Sequence, residues 1–232
     1  MKVVVAGGGT AGHIEPAMNV ADAIKVRYPD AEVVALGTVR GLETELVPAR
    51  GYKLDLIEPV PLPRRLNRDL FSLPVRLRKA IGQCRSVLKD ADVLIGFGGY
   101  VALPAYLAAR KHVPIVIHEA NAKAGLANRV GARFATAVAE TVTGSLPNAK
   151  LTGIPLRKSI AQFDRESLRS EALEYFKLNG NEPVLLVFGG SQGAQKINQV
   201  MADCREQKLF SQVQVIHAIG AKNELPSNLP SN

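Results

Sequence analysis

The sequence predicts an α/β protein with a doubly wound parallel sheet, and three patterns in its 232 residues indicate this fold. Apolar, β-branched runs alternate with helical patterns almost from end to end. The runs are nearly continuous in apolar residues, as expected of parallel strands that helices cover on both faces. Glycine-rich turns follow three of the strands, as in Rossmann-like folds. We therefore expect one Rossmann-like domain and part of a second.

The first domain is predicted to contain six strands, each followed by a helical pattern or a turn. The strands are expected at 2–7, 31–37, 53–60, 92–98, 114–120 and 136–141. Helices are expected at 14–27, 41–51, 103–111 and 124–134, and Gly51 closes the second of these. A basic helical stretch lies between the third and fourth strands.

The second domain follows the segment "GIPLR" (153–157) and looks incomplete. Strands are expected at 183–190 and 212–220, and helices at 167–177 and after Gly193. Two strands are too few for an independent α/β domain. We therefore predict domains at 1–152 and 153–232 and expect the second to be cut short at its C-terminus.

Composition indicates a globular protein of a reducing compartment. Apolar residues make up 47% of the chain, enough for a sizeable core. We find neither a signal peptide nor an apolar run of the ~18–20 residues that a membrane span needs. The two cysteines, Cys84 and Cys204, are far apart, so no disulfide framework is expected. These observations favour the cytosol.

The excess of positive charge, a formal net charge of +8 for the chain, is concentrated in residues 64–85. Only one acidic residue, Asp69, accompanies seven basic ones there: Arg64, Arg65, Arg68, Arg76, Arg78, Lys79 and Arg85. Such a segment indicates nucleic acid, an anionic membrane or simply a solvated face. Aromatic residues for base stacking are scarce at 5%, which disfavours nucleic acid.

Three glycine-rich turns are candidate anion-binding loops: "GGGTAGH" (7–13), "GFGGY" (96–100) and "GGSQGA" (189–194). At a strand-to-helix junction, unpaired amides and the positive helix end attract phosphate oxygens. Three such turns at the carboxyl ends of strands predict a crevice for molecules that contain a diphosphate.

The first turn leaves two interpretations open. Its glycine spacing fits a dinucleotide-binding fingerprint. However, the second strand ends in Gly37–Thr38, where a dehydrogenase carries an acid, and only Arg40 remains to meet a 2′-phosphate. His13 suits instead a general base, because an imidazole can take up a proton near neutral pH, although its ring could also cap the helix.

Other polar residues receive structural interpretations. His118 and Glu119 end a strand and are expected to hold the loop that presents Asn121. Asn128 and Arg129 are expected to cap or solvate a helix. His112 and His217 are interpreted as ordinary polar positions, and no His, Cys, Asp and Glu grouping has metal-ligand spacing.

Five ordered segments resemble motifs of the MurG family of bacterial N-acetylglucosaminyltransferases: "GGGTAGHIEPA", "GFGGYVALPA", "HEANAKAGLANR", "TGIPLR" and "FGGSQGAQKIN". The resemblance covers residues 1 to about 220 and implies the GT-B architecture of two Rossmann-like domains. It also implies an inverting transfer of N-acetylglucosamine, without a metal or other cofactor. The donor is UDP-N-acetylglucosamine, and the acceptor is the muramyl sugar of a polyprenyl-diphosphate lipid in peptidoglycan synthesis.

The resemblance also assigns roles to particular residues. His13 is implied as the general base. The implied UDP-N-acetylglucosamine site comprises Thr10, Ala11, Gly12, Asn121, Arg157 and Ser191. The implied acceptor-diphosphate site comprises Gly9, Gly98, Gly99 and Tyr100. Ala11 and Ala120 depart from the family pattern, in which glycine and glutamine are usual.

A lipid-linked acceptor favours the membrane interpretation of the basic segment, and family members carry a comparable patch. Arginines interleaved with apolar residues suit an anionic leaflet. The predicted membrane patch comprises Arg64, Arg65, Leu66, Arg68, Leu70, Phe71, Arg76, Arg78 and Lys79, with Leu73 and Leu77 among the interleaved residues. The alternative is that the leucines face the core. We expect a peripheral protein on the cytoplasmic face, with little or no transfer by these 232 residues alone. An NADP-dependent oxidoreductase and a non-catalytic membrane-associated remnant remain alternatives.

Overall fold

A computed structural model describes residues 1–60, 69–190 and 193–224, with backbone only for residues 69–71. The chain forms two compact units, Met1–Ala161 and Gln162–Asn232. Within the described ranges, no helix is long and apolar enough to cross a membrane.

The first unit is built on a seven-stranded, fully parallel sheet with strand order β3-β2-β1-β4-β5-β6-β7. Its strands are β1 Lys2–Gly7, β2 Glu32–Gly37, β3 Lys53–Leu56, β4 Val93–Gly98, β5 Ile115–Glu119, β6 Ala137–Glu140 and β7 Lys150–Leu151. The chain builds outward from β1 to β3 and then returns to the other side of β1. The order therefore reverses between β1 and β4, and ligands bind at such a switch point in open α/β sheets.

Among the described residues of this unit, the helices are α1 Ala11–Arg27, α2 Glu43–Ala49, α3 Asp69–Leu88, α4 Gly99–Ala109, α5 Leu126–Gly131 and α6 Lys158–Ala161. Alternate residues of β1 face opposite sides of the sheet. Val4 and Ala6 lie in a core cluster with residues of α3 and α4, whereas Val3 and Val5 pack with residues of α1. Both faces are thus covered, which confirms the predicted α/β class.

The second unit contains α7 Arg169–Tyr175, β8 Val184–Phe188, α8 Gln195–Glu206 and β9 Gln214–Ala218. The two strands pair in parallel. These are the four elements that the sequence predicts after Arg157. The units divide after Ala161, whereas the predicted domain boundary follows Thr152; that domain boundary stays a prediction.

Several element bounds differ from the sequence prediction for local reasons. Helix α4 begins at Gly99, four residues early, because Gly98 and Gly99 take φ angles of +91° and +78° and turn the chain directly into the helix. Strand β3 ends at Leu56 rather than residue 60. Strand β7 and helix α6 were missed, since two and four residues are too short to show a period.

Candidate functional site

Two of the glycine turns lie side by side at the switch point. Strand β1 runs into α1 through the first turn, and β4 runs into α4 through the second. The strands pair with Gly7 opposite Gly98. A Cβ atom on Gly99 would lie only 2.5 Å from the carbonyl oxygen of Gly8, so the two turns are in contact and glycine is required there. The predicted first and second loops therefore form one site.

The His13 ring lies over the second turn. Ideal Cβ positions on Gly98 and Gly99 would each be 3.4 Å from the His13 ring. The Nδ1 atom of His13 is 3.2 Å from the Thr10 hydroxyl. When Nδ1 carries the ring proton and donates a hydrogen bond to the Thr10 hydroxyl oxygen, Nε2 keeps a lone pair that can take another proton. The half-buried imidazole lies at the edge where both turns meet.

Tyr100 covers the first turn from the side of the second. Its hydroxyl would be 2.7 Å from a Cβ atom on Gly9, whose φ of +90° also requires glycine. Burial, and then the charge of Glu43, raise the pKa of Tyr100, and Arg40 opposes this. The phenol therefore stays protonated at neutral pH and can donate a hydrogen bond.

The residues at the start of α1 lie beside this site. Thr10 and Gly12 are exposed and Ala11 is half-buried. The first amides of an α-helix have no partner within the helix, so this end suits an anion.

Glu119 organises the loop that carries Asn121. One carboxylate oxygen of Glu119 accepts hydrogen bonds from the backbone and side-chain N–H groups of Asn121, both at 2.9 Å. The other oxygen accepts from the Gly125 amide at 3.1 Å. Nε2 of His118 lies 2.9 Å from the Gly153 carbonyl oxygen. The expectation that these residues hold the loop that presents Asn121 is confirmed for Glu119, whereas the His118 ring contacts the Gly153 carbonyl oxygen instead.

Asn128 has a different role from the one expected. It is 1% exposed, and its oxygen accepts the Tyr106 hydroxyl at 2.7 Å. Its amide donates to Glu119 at 2.9 Å and to the His118 carbonyl oxygen at 3.2 Å. The capping or solvation interpretation is wrong for Asn128, because the side chain joins α4, α5 and the end of β5 inside the core. Arg129 is exposed, as expected.

Arg157 forms an ion pair that the sequence did not reveal. Its Nε and Nη2 atoms lie 3.1 and 2.5 Å from the two oxygens of Glu15, and Arg50 lies 3.0 Å from the same carboxylate. The hydrogen bond from Arg157 is the largest cause that lowers the pKa of Glu15, against the opposing effect of burial. The only sign of this ion pair in the sequence was the acidic residue Glu15, two positions after His13.

Glu43 is a second residue that sequence reasoning missed. It is fully buried, and it accepts hydrogen bonds from the Gly9 amide at 3.0 Å and from the Thr38 amide and hydroxyl at 2.8 and 3.0 Å. A dinucleotide-binding fold would have an acidic residue at the end of β2. Here the acidic residue Glu43 lies at the start of α2, and its side chain is buried. It is therefore not exposed to a ribose.

Parts of the predicted site lie outside the described residues. This holds for Ser191 in the third turn, for Arg64, Arg65, Leu66 and Arg68, and for the side chains of Leu70 and Phe71. Gly190 and Gly193, two described residues of the third turn, both have a positive φ.

Helix α3 corrects part of the membrane interpretation. Leu73 and Leu77 pack against the core cluster, so their assignment to headgroup contact was wrong. Arg78 and Lys79 are exposed, and Lys79 pairs with Glu58 at 2.8 Å. Arg76 is half-buried. The membrane patch itself stays a prediction.

The sheet order, the paired glycine turns and the imidazole between them define a GT-B-like α/β protein. The model of the glycosyltransferase family 28 N-terminal domain matches residues 3–140, and that of the family 28 C-terminal domain matches residues 184–231. The chain belongs to glycosyltransferase family 28.

Individual relatives agree with this family. A Rhodococcus erythropolis protein named UDP-N-acetylglucosamine–N-acetylmuramyl-(pentapeptide) pyrophosphoryl-undecaprenol N-acetylglucosamine transferase is 57% identical over 97% of this chain. The chain spans 62% of that relative's length. The crystal structure of Acinetobacter baumannii MurG is similar over 96% of this chain and 68% of that one, with a TM-score of 0.66 at 22% identity. The crystal structure of Anabaena Alr3699/HepE in complex with UDP is similar over 93% of this chain and 68% of the Alr3699/HepE chain, with a TM-score of 0.63 at 11% identity.

Family membership leaves the oxidoreductase alternative without support. Its strongest requirement was an acid available to a ribose at the end of β2. Thr38 is buried there, and the carboxylate of Glu43 is directed at backbone.

Proposed function

We propose that this chain carries the acceptor site and general base of an inverting glycosyltransferase. The reaction transfers N-acetylglucosamine from UDP-N-acetylglucosamine to the muramyl sugar of a polyprenyl-diphosphate lipid, a step of peptidoglycan synthesis. The observation that carries the proposal is the His13 ring held against the second glycine turn at the switch point. The name of the R. erythropolis relative supports the substrates.

In this proposal His13 activates the acceptor hydroxyl. Thr10 orients the ring, and Nε2 takes the hydroxyl proton while the oxygen attacks the anomeric carbon of the donor. The bond from that carbon to the UDP oxygen breaks, and UDP leaves with the electron pair. Attack from the face opposite the leaving group inverts the anomeric centre.

The departing diphosphate needs positive charge or N–H donors as its negative charge develops. We assign this role to Arg157 and to the amides that begin α1, at Thr10, Ala11 and Gly12. Ser191 and Asn121 are assigned to the same donor by resemblance. The Glu15 carboxylate contacts two guanidinium nitrogens of Arg157, which leaves further N–H groups of that side chain for a phosphate.

We assign the acceptor diphosphate to the second turn. Gly98 and Gly99 allow close approach of an anion to the backbone, and the protonated Tyr100 hydroxyl donates a hydrogen bond. A polyprenyl acceptor lies in a membrane, so we also propose peripheral attachment to an anionic, cytoplasmic leaflet through the predicted membrane patch.

The test is a transfer assay with UDP-N-acetylglucosamine and a polyprenyl-diphosphate muramyl-peptide acceptor. It uses this chain and a chimera in which the corresponding C-terminal part of the R. erythropolis relative follows residue 224. We expect transfer by the chimera and little or none by the 232-residue chain. Normal turnover by the chain alone would refute the view that these residues are insufficient.

His13→Ala in the chimera should lower kcat by about 10²–10⁴-fold, the usual contribution of a general base, with UDP affinity unchanged. His112→Ala, at an exposed position beyond α4, is the matched control and should keep full activity. Full activity of the His13 variant would remove the assigned base.

A non-catalytic, membrane-associated protein is the second candidate, which the basic residues before β4 favour. It predicts vesicle binding without donor binding in the chimera. Transfer by the chimera that falls in the His13→Ala variant would argue against it.

A further inference from the structure

Glu43 is a charged side chain with no exposed surface, placed directly beneath the first glycine turn. One of its oxygens accepts the amide and hydroxyl of Thr38, and the other accepts the amide of Gly9. A buried carboxylate is costly unless hydrogen bonds satisfy it. Three donors satisfy this one, and all of them come from the segments that follow β1 and β2.

The fold provides space for this carboxylate by omitting side chains around it. A Cβ atom on Gly41 would lie 1.8 Å from a Glu43 oxygen, and one on Gly37 would lie 2.5 Å from its Cγ. A Cβ atom on Gly8 would be 3.1 Å from the other oxygen. The glycines therefore do two things: they shape the turn, and they admit the acid beneath it.

This arrangement changes what the first turn can bind. The Gly9 N–H is one of the backbone donors expected to face a diphosphate, but it is already donated to a carboxylate. An anion that approached this amide would have to displace that carboxylate and would meet its negative charge. The Thr10–Gly12 amides, at the helix start, and the second turn carry no such acid in the described contacts.

We propose that Glu43 is a positioning residue that holds the Gly9 amide and directs diphosphate oxygens away from Gly9, toward the second turn and the start of α1. The inference rests on the proposed function and removes Gly9 from the direct diphosphate contacts. Gly9 has a φ of +90°, and the Tyr100 ring lies against that turn. Burial is the main cause that raises the pKa of Tyr100, and the charge of Glu43 adds to it.

The experiment is an amide NMR measurement on the full 232-residue chain, with inorganic pyrophosphate as the probe. In Glu43→Gln one acceptor oxygen becomes an NH₂ donor that must face an N–H or hydroxyl donor. We expect hydrogen exchange of the Gly9 amide to become about tenfold faster or more, because a hydrogen bond to a charged group is lost. Glu45→Gln, an exposed position on the same helix, is the matched control and should leave Gly9 exchange unchanged.

Titration with pyrophosphate gives the second readout. In the wild type, pyrophosphate should shift the amides of Gly98–Tyr100 and Thr10–Gly12 while the Gly9 amide keeps its slow exchange. In Glu43→Gln the shifts should extend to Gly9. A purely structural role would change the melting temperature without moving this pattern.

Three results would overturn the proposal. The first is unchanged Gly9 exchange in Glu43→Gln. The second is a wild-type titration in which Gly9 shifts most, and this decides the matter even if the variant fails to fold. The third is a titration in which pyrophosphate binds at neither turn, which would contradict both the proposed function and the directing role of Glu43. The exchange measurement would still report separately whether Glu43 holds the Gly9 amide.

Discussion

Glu15 and Arg157, which are 142 positions apart in the sequence, form a two-point ion pair. The pair fixes the plane of the guanidinium group, because both carboxylate oxygens accept from different nitrogens of the same side chain. A residue assigned to the donor diphosphate is thus oriented by an acid two positions from the assigned base.

Glu15→Gln should weaken this orientation and lower stability in a pH-dependent way. Pairing holds the pKa of Glu15 below its usual 4.5, so the carboxylate contributes stability above that pH and loses it as the pH falls through the lowered pKa. We expect a melting temperature lower by up to about 3 °C at pH 6–8, as for a partly exposed ion pair in a domain of this size. The difference from wild type should shrink below about pH 4.5.

Thermal unfolding of the two proteins from pH 3.5 to 8 measures this effect. Glu32→Gln, on an exposed side chain of β2, is the control and should show no such dependence. A difference that grows toward acid pH would contradict the ion pair as its source.

Tyr106→Phe should destabilise the first unit. The variant removes the hydroxyl that donates to buried Asn128 and leaves an acceptor without its partner. We expect a loss of about 1–3 kcal/mol in the free energy of unfolding. Urea denaturation measures it, with Tyr175→Phe, at a 78% exposed ring, as the control. A loss equal to that of the control would show that the hydrogen bond contributes nothing.

The membrane patch predicts a charge-dependent interaction with vesicles. Changing Arg64, Arg65 and Arg68 together to Glu should abolish binding to vesicles rich in anionic lipid, because each basic residue near the surface contributes about 1 kcal/mol. The control makes the same charge change at the exposed residues Arg110, Lys111 and Arg133, which precede β5 and β6. Vesicle sedimentation compares the two. Unchanged binding by the patch variant would refute the assignment.

The two cysteines should differ sharply in reactivity. Burial raises the pKa of the Cys84 thiol to about 12, whereas Cys204 is half-buried. Since the thiolate is the reactive form, a thiol reagent at pH 8 should modify one cysteine per native chain and both after unfolding. Mass spectrometry of the modified peptides identifies them. Rapid labelling of Cys84 in the native protein would mean that α3 does not pack as described.

The strands and the first two glycine turns could be predicted because their signals are local. Near-continuous apolar runs identified β1, β2, β4 and β5, and each glycine turn stands next to its strand in the sequence. Their placement at one edge of the sheet also followed from the sequence, since parallel strands bring their carboxyl ends together, but the pairing of β1 with β4 that puts the two turns in contact did not.

The carboxylates that organise the site could not be predicted in the same way. Glu15 and Glu43 are ordinary acids on helices in the sequence, and their partners are distant in the chain or lie on backbone. Asn128 was misread because a polar residue on a short helix usually faces solvent, and only the packing of α5 on α4 reveals its burial. Leu73 and Leu77 fit a core stripe as well as a lipid-facing one, because their spacing does not say which partner the helix face meets.

The segment before α6 is attached to the first unit by the Asn19 side chain, which donates to the Pro155 carbonyl oxygen at 2.8 Å, as well as by Arg157. Arg157 and His13 consequently lie in the same compact unit, Met1–Ala161. In the proposed reaction, the cation for the leaving group and the base for the incoming alcohol therefore come from one compact unit, and Glu15, on the same helix as His13, ties Arg157 to that helix.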